Sequence, residues 1–500
     1  MTGRIPVKDL PGSTYPSFLI SALVCQRIKF GVYFQLREGK EQGARGKEQG
    51  ANTHTHDSHI LLSYLLTVLL SYFLTLSQLT THNSQLTILT VLHHMKTRKA
   101  AIGFIFVTLL IDVIGWGIII PVMPGLISHM ENVDTGDASS LNGWMLFAFS
   151  LTQFIFAPLV GNLSDKYGRR PILLVSLFGF GLDYLLLIWA PSIEWLFLGR
   201  ILAGVTGASF TTASAYIADI SNEKTRAQNF GMVGAAFGLG FIIGPVIGGL
   251  LGSFGPRVPF VAAAILCFLN WLWGYFILPE SLSPDHRRPL DLKRANPVGS
   301  LMHLKKYPDV SYLLVSLTLV YLAAHAIQSN WSFYTIERFG WDQKMIGISL
   351  GIVGLLVSII QGGLTRVINP KLGNARSIYI GLGLYCIGML LFGLATTGWM
   401  MLVFLVPYCL GGIAGPALQA TITSEVDVRE QGELQGALTS LMSATSIIGP
   451  PMMTNLFAWG IKDGNPIYLP GAPFFLASFL LLVSTIVAFI SFKKHHKKLT

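Results

Sequence analysis

From residue 100 onward the chain alternates between apolar runs of about 20 residues and short polar gaps. A helix crossing about 30 Å of hydrocarbon needs roughly 20 mostly apolar residues. Each run therefore predicts a membrane-spanning helix. Twelve lie near residues 100–120, 141–163, 171–190, 193–216, 230–251, 257–278, 310–331, 345–367, 376–396, 398–420, 435–456 and 471–492. The longest polar gap, residues 279–309, holds Pro279, Pro284, Pro289 and Pro297 and falls between the sixth and seventh runs. The pattern predicts an all-α integral membrane protein, with twelve transmembrane helices in two six-helix, pseudo-symmetric halves.

Composition agrees. Charged side chains make up 12% of the 500 residues and hydrophobic ones 52%, with a mean hydropathy of +0.56. Soluble domains carry roughly 25% charge, so an ordinary soluble enzyme is excluded. The formal charge of +10 does not indicate nucleic acid, because the Lys and Arg sit in short gaps between apolar runs, not on one face. From Met95 onward, 22 of them fall in the two ends and the even-numbered loops, and 4 (Arg257, Arg338, Lys344, Lys462) in the odd-numbered loops. Basic loops stay on the cytoplasmic side, so both ends of the 95–500 body are expected in the cytoplasm. Cys267, Cys386 and Cys409 lie inside apolar segments without CxxC spacing, and neither a disulfide framework nor a metal site is expected.

Residues 1–94 depart from the pattern. Gly39-Lys40-Glu41-Gln42-Gly43 recurs at Gly46–Gly50, and Ser77-Gln78-Leu79-Thr80 at Ser84–Thr87, a low-complexity signature. The run Ile60 to Leu76 is a candidate thirteenth span or signal h-region, but lacks a small-residue cleavage site and a basic segment before it. Met95, followed by Lys96, Arg98 and Lys99, is the expected start of the body, with residues 1–94 a non-native or disordered extension. His54, His56, Asp57 and His59 read as a solvated polar tract. The expected units are 1–94, a first half 95–280, a central cytoplasmic loop 281–308, a second half 309–492 and a basic tail 493–500.

The halves repeat at an offset of 205 residues: Gly168 maps to Gly373, Gly231 to Gly436, and Gly244-Pro245 to Gly449-Pro450. Parallel six-span repeats are the architecture of transporters that rock about a central site.

A charge at mid-bilayer costs about 2.5 to 3.5 kcal/mol on insertion scales and marks a pathway by default. Three stand out: Asp112 in the first run, Asp183 midway in the third and Arg200 in the fourth. A carboxyl group removed from water is suited to taking up and releasing protons, and an arginine, always charged, holds a neighbouring carboxylate ionised. A permanent ion pair that only fixes packing is the alternative. Gly115, Gly117, Pro121 and Pro124 give the first helix freedom to bend. The loop GNLSDKYGRRP, residues 161–171, puts Asp165 at a helix C-terminus, where the dipole disfavours it. Arg169 and Arg170 lie within reach of the Gly168 turn as partners. Gly161, Asp165, Gly168, Arg169 and Arg170 thus form a candidate cytoplasmic gate. In the fifth run Gly240, Gly244 and Gly248, with Pro245 and Gly249, put small residues four apart, a packing hinge.

These motifs, with Leu182-Asp183-Tyr184-Leu185-Leu186-Leu187, Gln153 before Phe156-Ala157-Pro158, Phe339-Gly340-Trp341 and Pro416-Ala417-Leu418-Gln419, resemble the major facilitator superfamily. Across residues 97–492 they are most similar to its twelve-span proton-coupled drug antiporters of the tetracycline efflux type. The resemblance implies that fold, no enzymatic activity, no cofactor beyond the proton gradient and no bound metal. It also implies proton coupling through Asp112, Asp183 and Arg200, a gate at the 161–171 loop, and a polar cavity residue at Gln153, with Gln361 and Gln419 as further cavity candidates. The expected partners are protons, a small amphiphilic substrate and the lipid bilayer, with no nucleic acid; the chain is expected to be a monomer in the cell membrane, the inner one in a Gram-negative cell. Two positions depart: where those antiporters carry a His in the eighth span and an Asp in the ninth, this chain has Val357 and Cys386. His325 is an extra ionisable group read as interfacial. An enzyme or sensor would need clustered polar groups or a soluble output domain, and no ATP-binding G-x-x-x-x-G-K-[ST] occurs. A proton symporter for a sugar or metabolite stays open.

Overall fold

A computed structural model describes residues 98–499 apart from 208, 222, 291–295, 308–309 and 428–429. The candidate thirteenth span, the histidine tract and the Met95 start lie outside the described residues. Among these residues no strand occurs, and the helices are α1 (Arg98–Ile119), α2 (Met123–Glu131), α3 (Thr135–Tyr167), α4 (Arg169–Trp189), α5 (Ile193–Thr206), α6 (Ser209–Ile220), α7 (Glu223–Gly252) and α8 (Val258–Ile277). They continue with α9 (Pro297–His303), α10 (Ser311–Phe339), α11 (Gln343–Ile359), α12 (Thr365–Leu372), α13 (Asn374–Leu394), α14 (Gly398–Leu410), α15 (Ala414–Ser424), α16 (Gln431–Ile461) and α17 (Ala472–Leu499).

Three of the predicted spans change helical geometry part-way along. The fourth is α5 and α6, parted at Gly207; the tenth is α14 and α15, joined by a 3-10 turn at Gly411–Ile413; the eighth is α11 and α12, joined by a π-helical turn at Ile360–Leu364. Eleven spans among the described residues are long and apolar enough to cross a bilayer. α16 is the twelfth by position. At 31 residues it is long enough, but its Ser, Thr, Asn and paired Pro450 and Pro451 dilute its apolarity. Of these, Thr445 and Thr454 are buried and Asn455 meets Ser140 of α3, along which α16 packs.

The 205-residue repeat is carried by the backbone. α4 and α13 are each 21 residues long and start 205 residues apart. The glycines before them share one left-handed turn, Gly168 at φ 105°, ψ 159° and Gly373 at φ 77°, ψ 159°. This region of the backbone map is costly for residues with a Cβ, which explains glycine at both. α5 and α14, and α6 and α15, follow at the same offset.

The halves meet along two helix pairs, α3 with α16 and α7 with α11. At the end where α3 begins and α16 finishes, three hydrogen bonds join them. Ser139 Oγ donates to Asn330 Oδ1 at 3.2 Å, Ser140 Oγ to Asn455 Oδ1 at 2.7 Å, and Ser332 Oγ to the Ile120 carbonyl at 3.0 Å. Toward the other end Gly161, Gly231, Gly234, Gly362, Gly363 and Gly436 face open space, with no atom within 4 Å of where a side chain would begin. These hydrogen bonds close the bundle across the first end; at the second, α9 rests against α16 and touches α3.

Candidate functional site

The buried charges gather inside the first half. Asp183 on α4 and Arg200 on α5 are 1% and 5% exposed, and Arg200 Nη2 donates to Asp183 Oδ2 at 2.5 Å. Gly199 makes room for this pair: a Cβ there would sit 2.7 Å from Asp183 Oδ1. The pair is not saturated, since Asp183 Oδ1 and Arg200 Nε have no partner. Asp112, half-buried on α1, accepts a hydrogen bond from Ser209 Oγ at 2.9 Å, while its Oδ1 is enclosed without a partner. Ser209 opens α6 just beyond the Gly207 break, so the interrupted fourth span delivers that hydroxyl. Tyr184, 3% exposed, lies within electrostatic reach of Asp112, Asp183, Arg200 and the Cys267 thiol on α8. The three predicted ions thus share one interior. A buried polar group without a partner needs an explanation, and this cluster holds three such atoms.

The loop between α3 and α4 forms a second cluster. Arg169 Nη1 meets Asp165 Oδ1 at 2.5 Å across the Gly168 turn, and its Nε meets Asp219 Oδ2, near the end of α6, at 3.1 Å. Arg170 does not join them; its Nη2 donates to the Tyr275 carbonyl at 2.7 Å and its guanidinium lies over the Tyr275 ring. The predicted pairing of Asp165 with both arginines is therefore corrected to Arg169 alone. Successive helical residues point about 100° apart, which sends Arg170 to α8. Glu280, beyond α8, was not anticipated: its carboxylate accepts the Arg169 and Arg170 backbone N–H groups at 2.8 and 3.2 Å. A negative charge there satisfies orphan donors at the α4 N-terminus and matches the helix dipole. A Cβ on Gly168 would strike Glu280 Oε2, a second reason for glycine. Gly161 joins this cluster through its backbone: its carbonyl accepts from Ser164 Oγ at 2.7 Å, and that hydroxyl accepts from Arg169 Nη1 at 2.6 Å.

The small-residue face of α7 is a joint. Gly240 lies on Val113, Gly244 on the Ile114 carbonyl and Gly248 on the Ile118 carbonyl of α1, while Gly249 faces the Gln343 carbonyl and Gly347 of α11. One helix thus packs backbone to backbone against both halves. Pro245 contributes on both sides, its ring against Gly117 and its carbonyl against Gly347.

The three glutamines do not converge. Gln153 Nε2 donates to the Gly207 carbonyl at 3.2 Å, bracing the α5–α6 break. Gln361 is exposed in the π turn beside Gly412 and the Tyr385 hydroxyl, and Gln419 Nε2 reaches Gln435 Oε1 at 3.4 Å. Within the π turn Ile360 is buried in the apolar core while Gln361, Gly362 and Gly363 are exposed, and such turns cluster at functional sites. Val357 packs in an apolar cluster with Ile360, Cys409 and Ile413, and the Cys386 thiol donates to the Ser478 carbonyl at 3.3 Å. His325 corrects the interfacial reading: it is 6% exposed, midway along α10, with its ring against Gly449 of α16. Gly449 has no Cβ to exclude the ring, so the glycine spacing of the eleventh span held the missing signal.

A family model for the Major Facilitator Superfamily matches residues 105–450. The chain belongs to this superfamily. It is 38% identical over 383 residues to the tetracycline resistance protein, class C, of Escherichia coli, covering 76% of this chain and 96% of that one. It is 30% identical to multidrug resistance protein 2 of Bacillus subtilis, covering 76% and 93%. Among solved structures the D-xylose-proton symporter superposes with a TM-score of 0.62 at 15% identity, over 77% of this chain and 96% of that one, a likeness of fold. The chain is a multi-pass membrane transporter, not an enzyme.

Proposed function

We propose that this transporter is a proton-coupled antiporter that exports amphiphilic, tetracycline-like drugs by alternating access. The observation that carries the reading is the solitary Asp112 carboxylate, with one oxygen on Ser209 and the other enclosed without a partner, next to the buried Asp183–Arg200 pair. A group that holds a proton in one state and releases it in another has to be shielded from bulk water yet not locked in a salt bridge. Asp112 meets both conditions, and the relatives named for tetracycline and multidrug resistance supply the class of cargo. The basic α3–α4 end is the cytoplasmic one, so the conformation closed at the opposite end faces inward, with both ends of the 95–500 body in the cytoplasm. In this state the drug enters between Gln361, Gln419 and the α7 face. Protons arriving from outside load Asp112 after the halves rock, and Arg169, Asp165 and Asp219 latch the inner side. Apolar Val357 and Cys386, tied to Ser478, leave the second half without the ions that would hold a metal-chelated drug. The cargo therefore extends to uncharged or cationic amphiphiles, carried by a monomer without cofactor.

In reconstituted vesicles, an imposed pH gradient should drive tetracycline flux in the wild type and not in Asp112→Asn. Susceptibility of an efflux-deficient host to a panel of amphiphilic drugs names the cargo. Undiminished gradient-driven flux in Asp112→Asn would overturn the reading.

A further inference from the structure

We propose that Tyr184 is a positioning residue for proton coupling: its phenol is the second hydrogen-bond donor to the Asp112 carboxylate, engaged in one conformation and disengaged in the other. The inference rests on Asp112 being the coupling group. It starts from an unmade bond. Asp112 spends Oδ2 on Ser209, and Oδ1 is enclosed with no partner. Tyr184 is 3% exposed and its hydroxyl abuts Gly115, where even a Cβ would collide with it. Asp112 and Gly115 are three apart on α1 and share a face, so the phenol lies one residue-pair spacing from the carboxylate that lacks a donor. Gly115 is what admits it.

The groups that face this phenol come from every element around it: Asp112 on α1, Asp183 on its own helix, Arg200 on α5 and Cys267 on α8. Asp183 is already held by Arg200, and a thiol is a weak donor. Asp183 Oδ1 is also unpartnered, but successive side chains on one helix point about 100° apart, and the phenol abuts Gly115 on α1, so the acceptor on the face it meets is Asp112 Oδ1. A carboxylate with two donors is favoured in its ionised form over one with a single donor. α1 is gripped by α7 through Gly240, Gly244 and Gly248, and α7 is also joined to α11 of the other half. A rocking of the halves therefore moves α1 against α4 and makes or breaks the Tyr184 contact. No atom is transferred to or from the phenol: the Asp112 proton leaves to water as the Tyr184 O–H turns onto the vacated oxygen.

The test needs no cargo. The infrared C=O stretch of protonated Asp112, assigned by its loss in Asp112→Asn, is followed against pH in purified full-length protein. Tyr184→Phe should move its titration to higher pH by roughly one unit, the tenfold change that one hydrogen bond to a charged group is worth. Replacing Tyr184 with 3-fluorotyrosine, equal in shape and a stronger donor, should move it the opposite way. That opposition is not produced by packing, and the fluorinated protein decides alone if Tyr184→Phe does not fold. An Asp112 titration unmoved by fluorination, or moved the same way by both changes, overturns the inference. Vesicles in which the wild type shows no gradient-driven flux would instead overturn the exporter reading.

Discussion

The Asp183 carboxylate and the Arg200 guanidinium meet at 2.5 Å in the interior of the first half, on neighbouring helices parted by the short loop before Ile193. Breaking such a pair from one side leaves an uncompensated charge and costs about 3 to 5 kcal/mol. Arg200→Ala should therefore sharply lower the yield and thermal midpoint of folded protein. Arg200→Leu combined with Asp183→Leu should recover much of the midpoint, yet not gradient-driven transport. Size-exclusion thermal profiles and vesicle flux measure the two effects. Recovery of transport in the double variant would make the pair a packing device.

Ser140 and Asn455 touch across the closed end, Oγ to Oδ1 at 2.7 Å. Cysteines at both positions should cross-link on mild oxidation, since the native side chains already touch across this interface. The bridge should abolish flux and a reductant should restore it. Full transport by the oxidised pair would show that this end does not open in the cycle.

Gly244 lies on the Ile114 carbonyl, where a Cβ would approach to 2.7 Å. Gly244→Val forces α1 from α7 and should lower stability by about 1 to 3 kcal/mol, the usual cost of overpacking, with loss of transport. Gly234→Ala on the same helix, with nothing within 4 Å, should leave transport intact and raise stability by up to about 1 kcal/mol. Thermal midpoint and flux compare the two variants.

Glu280 caps α4 through two backbone N–H groups. Glu280→Ala should cost about 0.5 to 2 kcal/mol, the range for a lost helix cap. It should also loosen the Gly168 turn, read as faster proteolysis between residues 161 and 171. An unchanged thermal midpoint and cleavage rate would remove Glu280 from the loop cluster.

The spans, the two halves and the three interior ions were legible in the sequence because each breaks a strong rule: a charge in an apolar run and a glycine at a fixed offset are costly without a reason. Gly168 and Gly373 share a turn because the backbone demands it. Partner choice was not legible. Arg169 and Arg170 are equivalent in sequence, and only the helical rotation sends one to Asp165 and Asp219 and the other to Tyr275. Ser209 gave no signal, since a serine hydroxyl on a spanning helix most often bonds its own backbone, and Tyr184 stood only within the third-span motif, with nothing to say which helix its phenol meets. The π turn at Ile360–Leu364 was hidden because its composition continues that of α11. His325 was misplaced for lack of its partner helix, which supplies Gly449.

The two glycine-initiated helices, α4 and α13, descend from one plan but diverge in what they hold. At the position of Asp183 α13 carries Gly388, and on the helices that follow, α5 and α14, Leu405 stands at the position of Arg200. On the proposed mechanism, energy conversion is thereby confined to one side of the molecule. The other is free to change its lining, and so its choice of passenger, without disturbing the engine.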